Sequence, residues 1–148
     1  MQPQPEGARM YRMKRRGLQC LAGIVLCVAA MRAHHSLSGV YDTGREITIE
    51  GLVAQFQFVN PHPFVMISIK TANEGTQQWR LEMDNRSELV QIGMDSGTFK
   101  PGDRVIATGS PGRDKALALY VRRLDRPLDG LRYEQIGSTP RIQFSPKP

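Results

Sequence analysis

Hydrophobic and polar residues alternate in short runs through the middle of the chain, a pattern typical of half-buried β-strands. Asn, Pro and Gly residues separate the runs, as they do at turns. Many of the residues within the runs are β-branched or aromatic, which also favours strands. Five strands are predicted in this way, over residues 46–59, 64–71, 77–83, 103–108 and 116–124.

One short helix is predicted between the third and fourth strands. Asn85 is suited to cap it, Glu88 follows in the register of a capping box, and Gly93 is suited to end it. The order β-β-β-α-β-β is that of the OB-fold, whereas an immunoglobulin-like sandwich has about seven strands. We therefore predict a mainly β protein, a small five-stranded OB-like barrel with one short helix, over residues 45–127.

The first predicted strand changes phase along its length. Ile47 and Ile49 share one face, whereas Leu52 and Phe56 share the other. The period of two is inverted in this way when one residue is inserted into a strand, and glycine often marks such a bulge. Because Gly51 stands at the change of phase, a bulge or sharp bend is predicted there.

The N-terminus has the composition of a secretory signal peptide. Five basic residues between Arg9 and Arg16 precede an apolar run over residues 17–30. This run is shorter than the roughly 20 residues that span a bilayer. Small residues follow it, so cleavage is predicted after Ala30 or after Ala33. Residues 1–33 are thus predicted to be a signal peptide, with no stable membrane span after cleavage; an uncleaved signal anchor is the alternative.

Removal of this segment changes both the cysteine content and the net charge of the chain. Cys20 and Cys27 lie inside the apolar run, so the mature chain has no cysteine. Export without disulfides favours a bacterial periplasm. Of the 20 Lys and Arg residues, six precede His34, as does one of the 14 acidic residues. The mature chain is close to neutral, so the net charge of +6 does not predict a nucleic-acid partner.

Two further segments flank the predicted barrel. Residues 34–44 are predicted to be a leader between the signal peptide and the first strand. Residues 128–148 contain three prolines and show no sustained hydrophobic period. They are predicted to form an extended or disordered tail.

The three histidines, His34, His35 and His62, are the candidate metal ligands. Neutral imidazole is a common ligand of copper and zinc. The leader pair and the turn residue His62 could together bind an ion such as copper, and cleavage after Ala33 would add the free amine of His34. Asp42 or Glu82 could add a carboxylate. The alternative is that the leader histidines are simply exposed and that His62 is a turn residue.

The remaining chemistry of the sequence is sparse. The chain has no G-x-S-x-G, H-E-x-x-H or phosphate-loop motif, so no enzymatic activity is predicted. A periplasmic binding or accessory protein is the favoured function. The alternative is an OB-type module that binds an oligosaccharide or other small ligand on the barrel face by stacking. The aromatic residues open to that role are Phe56, Phe58, Phe64, Trp79 and Tyr120, although core positions in the barrel suit them better.

Three motifs occur in a fixed order along the mature chain. They are Ala33-His34-His35-Ser36, Asn60-Pro61-His62 and Lys100-Pro101-Gly102-Asp103. With them the chain resembles a domain-of-unknown-function family of short exported bacterial proteins, from about residue 33 to residue 130. Members of that family usually have an aromatic residue where Leu37 stands. The resemblance implies a small periplasmic β-domain and assigns no activity to it.

Overall fold

The computed structural model describes residues 37–72, 75–114, 116–137 and 139–144. This part of the chain contains two short helices, α1 (Leu37–Val40) and α2 (Arg86–Gln91), and seven strands. The strands are β1 (Ile47–Gln57), β2 (Phe64–Lys70), β3 (Thr76–Glu82), β4 (Arg104–Pro111), β5 (Ala118–Arg126), β6 (Leu131–Ile136) and β7 (Thr139–Phe144). Neither α1 nor α2 has the length and apolar character that a membrane-spanning helix needs.

The first five strands close into a barrel. β1 pairs antiparallel with β2 and with β4, β2 pairs with β3, and β4 pairs with β5. A parallel pairing of β3 with β5, in which Glu82 lies opposite Tyr120, closes the ring. With α2 placed between β3 and β4, this confirms the predicted mainly β, five-stranded OB-like barrel.

Inward-facing residues from all five strands fill the barrel. The fully buried ones include Val53, Val65, Ile67, Leu81, Val105, Ala107, Leu119 and Val121. Leu89 of α2 and Phe99 of the following loop join the same cluster. Phe56, Phe58 and Trp79 pack against it while partly buried, so the prediction that they belong to the core is confirmed.

The bulge in β1 lies three residues beyond the predicted position. The β1–β2 register shifts between Val53 and Gln55, so the prediction of a bulge at Gly51 is wrong. The sequence pattern suggested Gly51 because it grouped Leu52 with the inward-facing residues, whereas Leu52 is half exposed. A single exposed apolar residue of this kind is common on protein surfaces. Gly51 instead allows β1 and β2 to approach closely, because a Cβ at this position would lie 2.7 Å from the carbonyl oxygen of Ser68 on β2.

Helix α2 has the predicted ends but not the predicted cap. It begins after Asn85, and Gly93 follows it with a φ of +88°. The side chain of Asn85 makes no capping hydrogen bond, so the predicted capping box does not form. The backbone N–H groups of Glu88 and Leu89 both donate to the backbone carbonyl of Asn85 instead.

The C-terminal segment is folded over residues 128–137 and 139–144, the part of it that the structure describes. β6 pairs antiparallel with β5, and β7 pairs with β6 as a hairpin. Leu131 and Tyr133 of β6 are buried, so the hairpin extends the core beyond the barrel. The prediction of an extended or disordered tail is therefore wrong for residues 131–136 and 139–144, which form β6 and β7. Two buried residues in β6 and one in β7, Pro140, are too few to give a periodic signal in the sequence, and the burial of β6 depends on the surface that β5 supplies.

Candidate metal centre

The loop between β1 and β2 holds His62 in a fixed position. The peptide bond before Pro61 is cis. The carbonyl of Pro61 accepts a hydrogen bond from the N–H of Arg86 at 2.9 Å, and the carbonyl of Pro63 accepts one from the N–H of Met83, also at 2.9 Å. Because these two bonds flank His62, its backbone is fastened to the end of β3 and to the start of α2.

This attachment brings His62 next to the last residue of β3. The Nδ1 atom of His62 lies 2.8 Å from Oε1 of Glu82. The His62 side chain is 39% exposed, whereas that of Glu82 is 17% exposed. Among the described residues, none forms a hydrogen bond with the other ring nitrogen, Nε2. The ring is thus anchored through one nitrogen while much of its surface faces solvent.

Tyr41 completes the arrangement, and we call Tyr41, His62 and Glu82 the His62 cluster. The Tyr41 hydroxyl donates to Oε2 of Glu82 at 2.7 Å, and the guanidinium of Arg80 lies 3.7 Å from the same oxygen. Burial, and then the hydrogen bond to Glu82, raise the pKa of Tyr41 well above its usual range. The hydroxyl therefore keeps its proton and acts as a donor.

Tyr41 is held there because the segment before β1 docks on the barrel. The N–H of Asp42 donates to the carbonyl of Pro111, and the N–H of Arg113 donates to the carbonyl of Val40. The Tyr41 ring packs on Tyr120 with a centroid distance of 5.6 Å. Residues 37–42, which the sequence assigned to a leader, therefore belong to the folded domain. The carboxylate of Asp42 lies 3.9 Å from Arg113.

A second polar group lies beneath this site, at the junction of the barrel and the hairpin. The hydroxyl of Tyr120 donates to Oδ1 of Asp84 at 3.0 Å and accepts a hydrogen bond from Gln135 at 2.9 Å. Oδ2 of Asp84 and the hydroxyl of Tyr133 are buried and have no hydrogen-bond partner within the described part of the chain. Burial raises the pKa of Asp84 above its usual value and that of Tyr120 to about 12.

The structure brings together only part of the predicted ligand set. His34 and His35 lie outside the described residues. Within residues 37–72, 75–114, 116–137 and 139–144, no group of three or more His, Cys, Asp or Glu side chains is arranged to hold a metal ion. Of the residues considered in the sequence, His62 and Glu82 are in contact. Tyr41 was not among the candidates from the sequence, because nothing in its local sequence distinguishes it from any other core aromatic residue.

Two of the aromatic residues considered for stacking, Phe64 and Tyr120, are covered by other groups. Tyr120 is only 6% exposed, and the ring of Phe64 is covered by the guanidinium of Arg80 at 4.4 Å. A groove of about 340 Å³ crosses the outer face of β1, β2 and β3, and its lining includes Leu52 and Lys70 but no aromatic side chain. Base or sugar stacking in this groove would therefore lack its usual aromatic platform.

The described chain is thus an OB-like barrel with a partly buried carboxylate that links a tyrosine to a half-exposed histidine. It belongs to the family of unknown function DUF6152, whose family model matches residues 22–119. No curated protein matches the chain. Among solved structures it is similar to a small single-stranded DNA-binding protein from Streptomyces coelicolor. That similarity has a TM-score of 0.36 and 13% identity, and covers 57% of this chain and 92% of the other.

Proposed function

We propose that the protein is a non-enzymatic binding or accessory protein of the bacterial periplasm that binds a metal ion such as copper through His34, His35 and His62. One observation carries the proposal: Nδ1 of His62 is 2.8 Å from a carboxylate oxygen of Glu82. Histidines that bind metals usually donate their other ring N–H to a carboxylate or carbonyl, which orients the ring and raises its basicity. His62 has this arrangement while its ring is still accessible from solvent.

The local charges are compatible with a cation. Arg80 contributes one positive charge close to the His62 cluster, and its guanidinium is 3.7 Å from Glu82. The carboxylate of Glu82 offsets that charge at the position nearest to His62. Copper suits the proposed donors because all three are imidazoles, and imidazole nitrogen binds Cu(II) strongly.

The periplasmic part of the proposal is supported by the sequence. The basic cluster, the apolar run and the small residues after it have the composition of a cleaved export signal. Intact-mass measurement of protein recovered from the periplasm is expected to show the loss of the segment that ends at Ala30 or Ala33. Recovery of the uncut chain from the cytoplasm would contradict this part of the proposal.

Calorimetric titration of the processed, untagged protein with Cu(II) tests the binding itself. We expect one Cu(II) per chain and a loss of affinity of about tenfold or more in His62→Ala, because a ligand on the folded domain is removed. His34→Ala and His35→Ala should each weaken binding as well. Glu50→Gln is the matched control, because it changes an exposed carboxylate on β1 that pairs with Arg104 of β4.

Two results would count against the metal site. Binding that does not saturate would refute it. Saturable binding that is unchanged in His62→Ala would place the ion on the leader histidines alone. If all three histidines share one ion, the losses from His34→Ala and His62→Ala should not be additive, since both variants remove the same ion.

A further inference from the structure

We infer that Glu82 is a positioning residue that holds His62 in the tautomer with its proton on Nδ1, so that Nε2 is the atom left to bind metal. This inference rests on the proposed function and adds to it the ligand atom and the residue that selects that atom. It follows from the hydrogen bonds of one carboxylate. Oε2 of Glu82 accepts from the Tyr41 hydroxyl at 2.7 Å, and Oε1 lies 2.8 Å from Nδ1 of His62.

The direction of the second bond follows from what a carboxylate can do. An ionised carboxylate only accepts hydrogen bonds, whereas each nitrogen of a neutral imidazole is either a donor or an acceptor. Nδ1 of His62 must therefore be the donor and carry the proton. Nε2 then keeps its lone pair, which is the feature that a metal ligand requires.

The carboxylate has little freedom to give up this role. Glu82 lies opposite Phe64 on β2 and opposite Tyr120 on β5, so its backbone is paired on both sides. Tyr41, which holds Oε2, is only 3% exposed. The side-chain partners of Glu82, Tyr41 and His62, are thus both held by the fold, and the carboxylate is oriented in the metal-free protein. Such preorganisation lowers the conformational cost of binding.

The tautomer is measured directly by long-range ¹H–¹⁵N correlation NMR of the metal-free protein. With His62→Ala as the assignment control, the wild-type ring should show a protonated Nδ1 and an unprotonated Nε2 at a pH where the ring is neutral. Glu82→Ala, which removes the acceptor of the Nδ1–H bond, should reduce the Nδ1–H population, and Tyr41→Phe, which keeps both His62 and Glu82, should change it less. Glu50→Gln should leave the spectrum of His62 unchanged.

The metal arm uses the same variants with Cu(II) alone as the probe. Glu82→Ala is expected to lower the affinity by about 10- to 100-fold, the usual effect of removing a carboxylate behind a ligating histidine. Glu82→Asp should recover part of both the tautomer and the affinity, which a purely structural role for Glu82 would not require. Circular dichroism establishes that each variant is folded.

The NMR measurement tests whether Glu82 sets the tautomer of His62, and the Cu(II) titration tests whether the site binds metal. A wild-type ring with its proton on Nε2, or a tautomer population unaffected by Glu82→Ala, would overturn the inference whatever the metal titration shows. A wild-type ring with its proton on Nδ1 supports the inference. If that same protein failed to bind Cu(II), the proposed function would fail while the positioning of His62 by Glu82 would stand. The wild-type measurement needs no variant, so the test still applies even if Glu82→Ala does not fold.

Discussion

Replacing Gly51 by alanine tests how closely β1 and β2 approach each other in the barrel. An added Cβ would lie 2.7 Å from the backbone oxygen of Ser68, and 3.1 Å from side-chain carbons of both Ile67 and Ile69. Cβ atoms essentially never come within 3.0 Å of such neighbours. Because the nearest atom belongs to the backbone of β2, no side-chain rotation relieves the contact, and the two strands must move apart.

The size of the effect follows from two opposing terms. Overpacking of this kind costs about 1–3 kcal/mol, while replacing glycine by alanine within a strand recovers about 0.5–1 kcal/mol of conformational entropy. At the middle of both ranges the cost exceeds the gain, so the free energy of unfolding should fall by about 1 kcal/mol, and Tm by roughly 4–6 °C for a domain of this size.

Thermal melts followed by circular dichroism measure this change. Gly44→Ala is the matched control, because its Cβ would lie 3.7 Å from a carboxylate oxygen of Asp42, an ordinary van der Waals contact. The control should melt close to the wild type. A Gly51→Ala protein that melts at or above the temperature of the control would refute the close approach of β1 and β2.

Two other substitutions test the interior. Asp84→Asn should stabilise the protein at neutral pH. Burial raises the pKa of Asp84 in the folded state, so folding favours the protonated carboxyl. The stability that this protonated group contributes is complete below the unfolded-state pKa and is lost as pH rises through the folded-state pKa. Urea unfolding across that range should show a flatter pH dependence in the variant, and a variant less stable than wild type at neutral pH would contradict this. Phe99→Ala should lower the free energy of unfolding by about 3–5 kcal/mol, because a buried ring in edge contact with Phe56 is lost; a change below about 1 kcal/mol would contradict its place in the core.

The barrel was predictable because its signals are local. Alternation over β2 and β3 placed both strands to within a residue at each end, since one face of each is buried and the other faces outward. The order of elements then limited the topology, although the parallel β3–β5 pairing that closes the barrel is visible only in the structure. The bulge was misplaced because Leu52 was taken as an inward residue, when in fact it is half exposed.

The hairpin and the site depend on contacts that sequence patterns do not encode. β6 is stabilised by the surface of β5 as well as by its own composition, as the pairing of Leu124 with Tyr133 shows. The Tyr41 hydroxyl reaches Glu82 across 41 positions of sequence, and His62 reaches it across 20. His62 was a candidate from the sequence because the chain has only three histidines. Its carboxylate partner was one of two candidates, Asp42 and Glu82, and the fold shows that Glu82 is the one in contact with it.

The position of Tyr120 determines how variants near the site must be interpreted. Its ring packs on Tyr41 of the His62 cluster, and its hydroxyl donates to Asp84 in the buried group that joins the hairpin. A change on either side can therefore disturb the other through Tyr120, so weaker Cu(II) binding by itself does not show that the altered residue is a ligand. The tautomer of His62 is free of this ambiguity, because it reports the hydrogen bond to Glu82 itself. A variant that weakens binding and leaves the tautomer intact acts through stability or through another ligand, whereas one that alters both acts through Glu82.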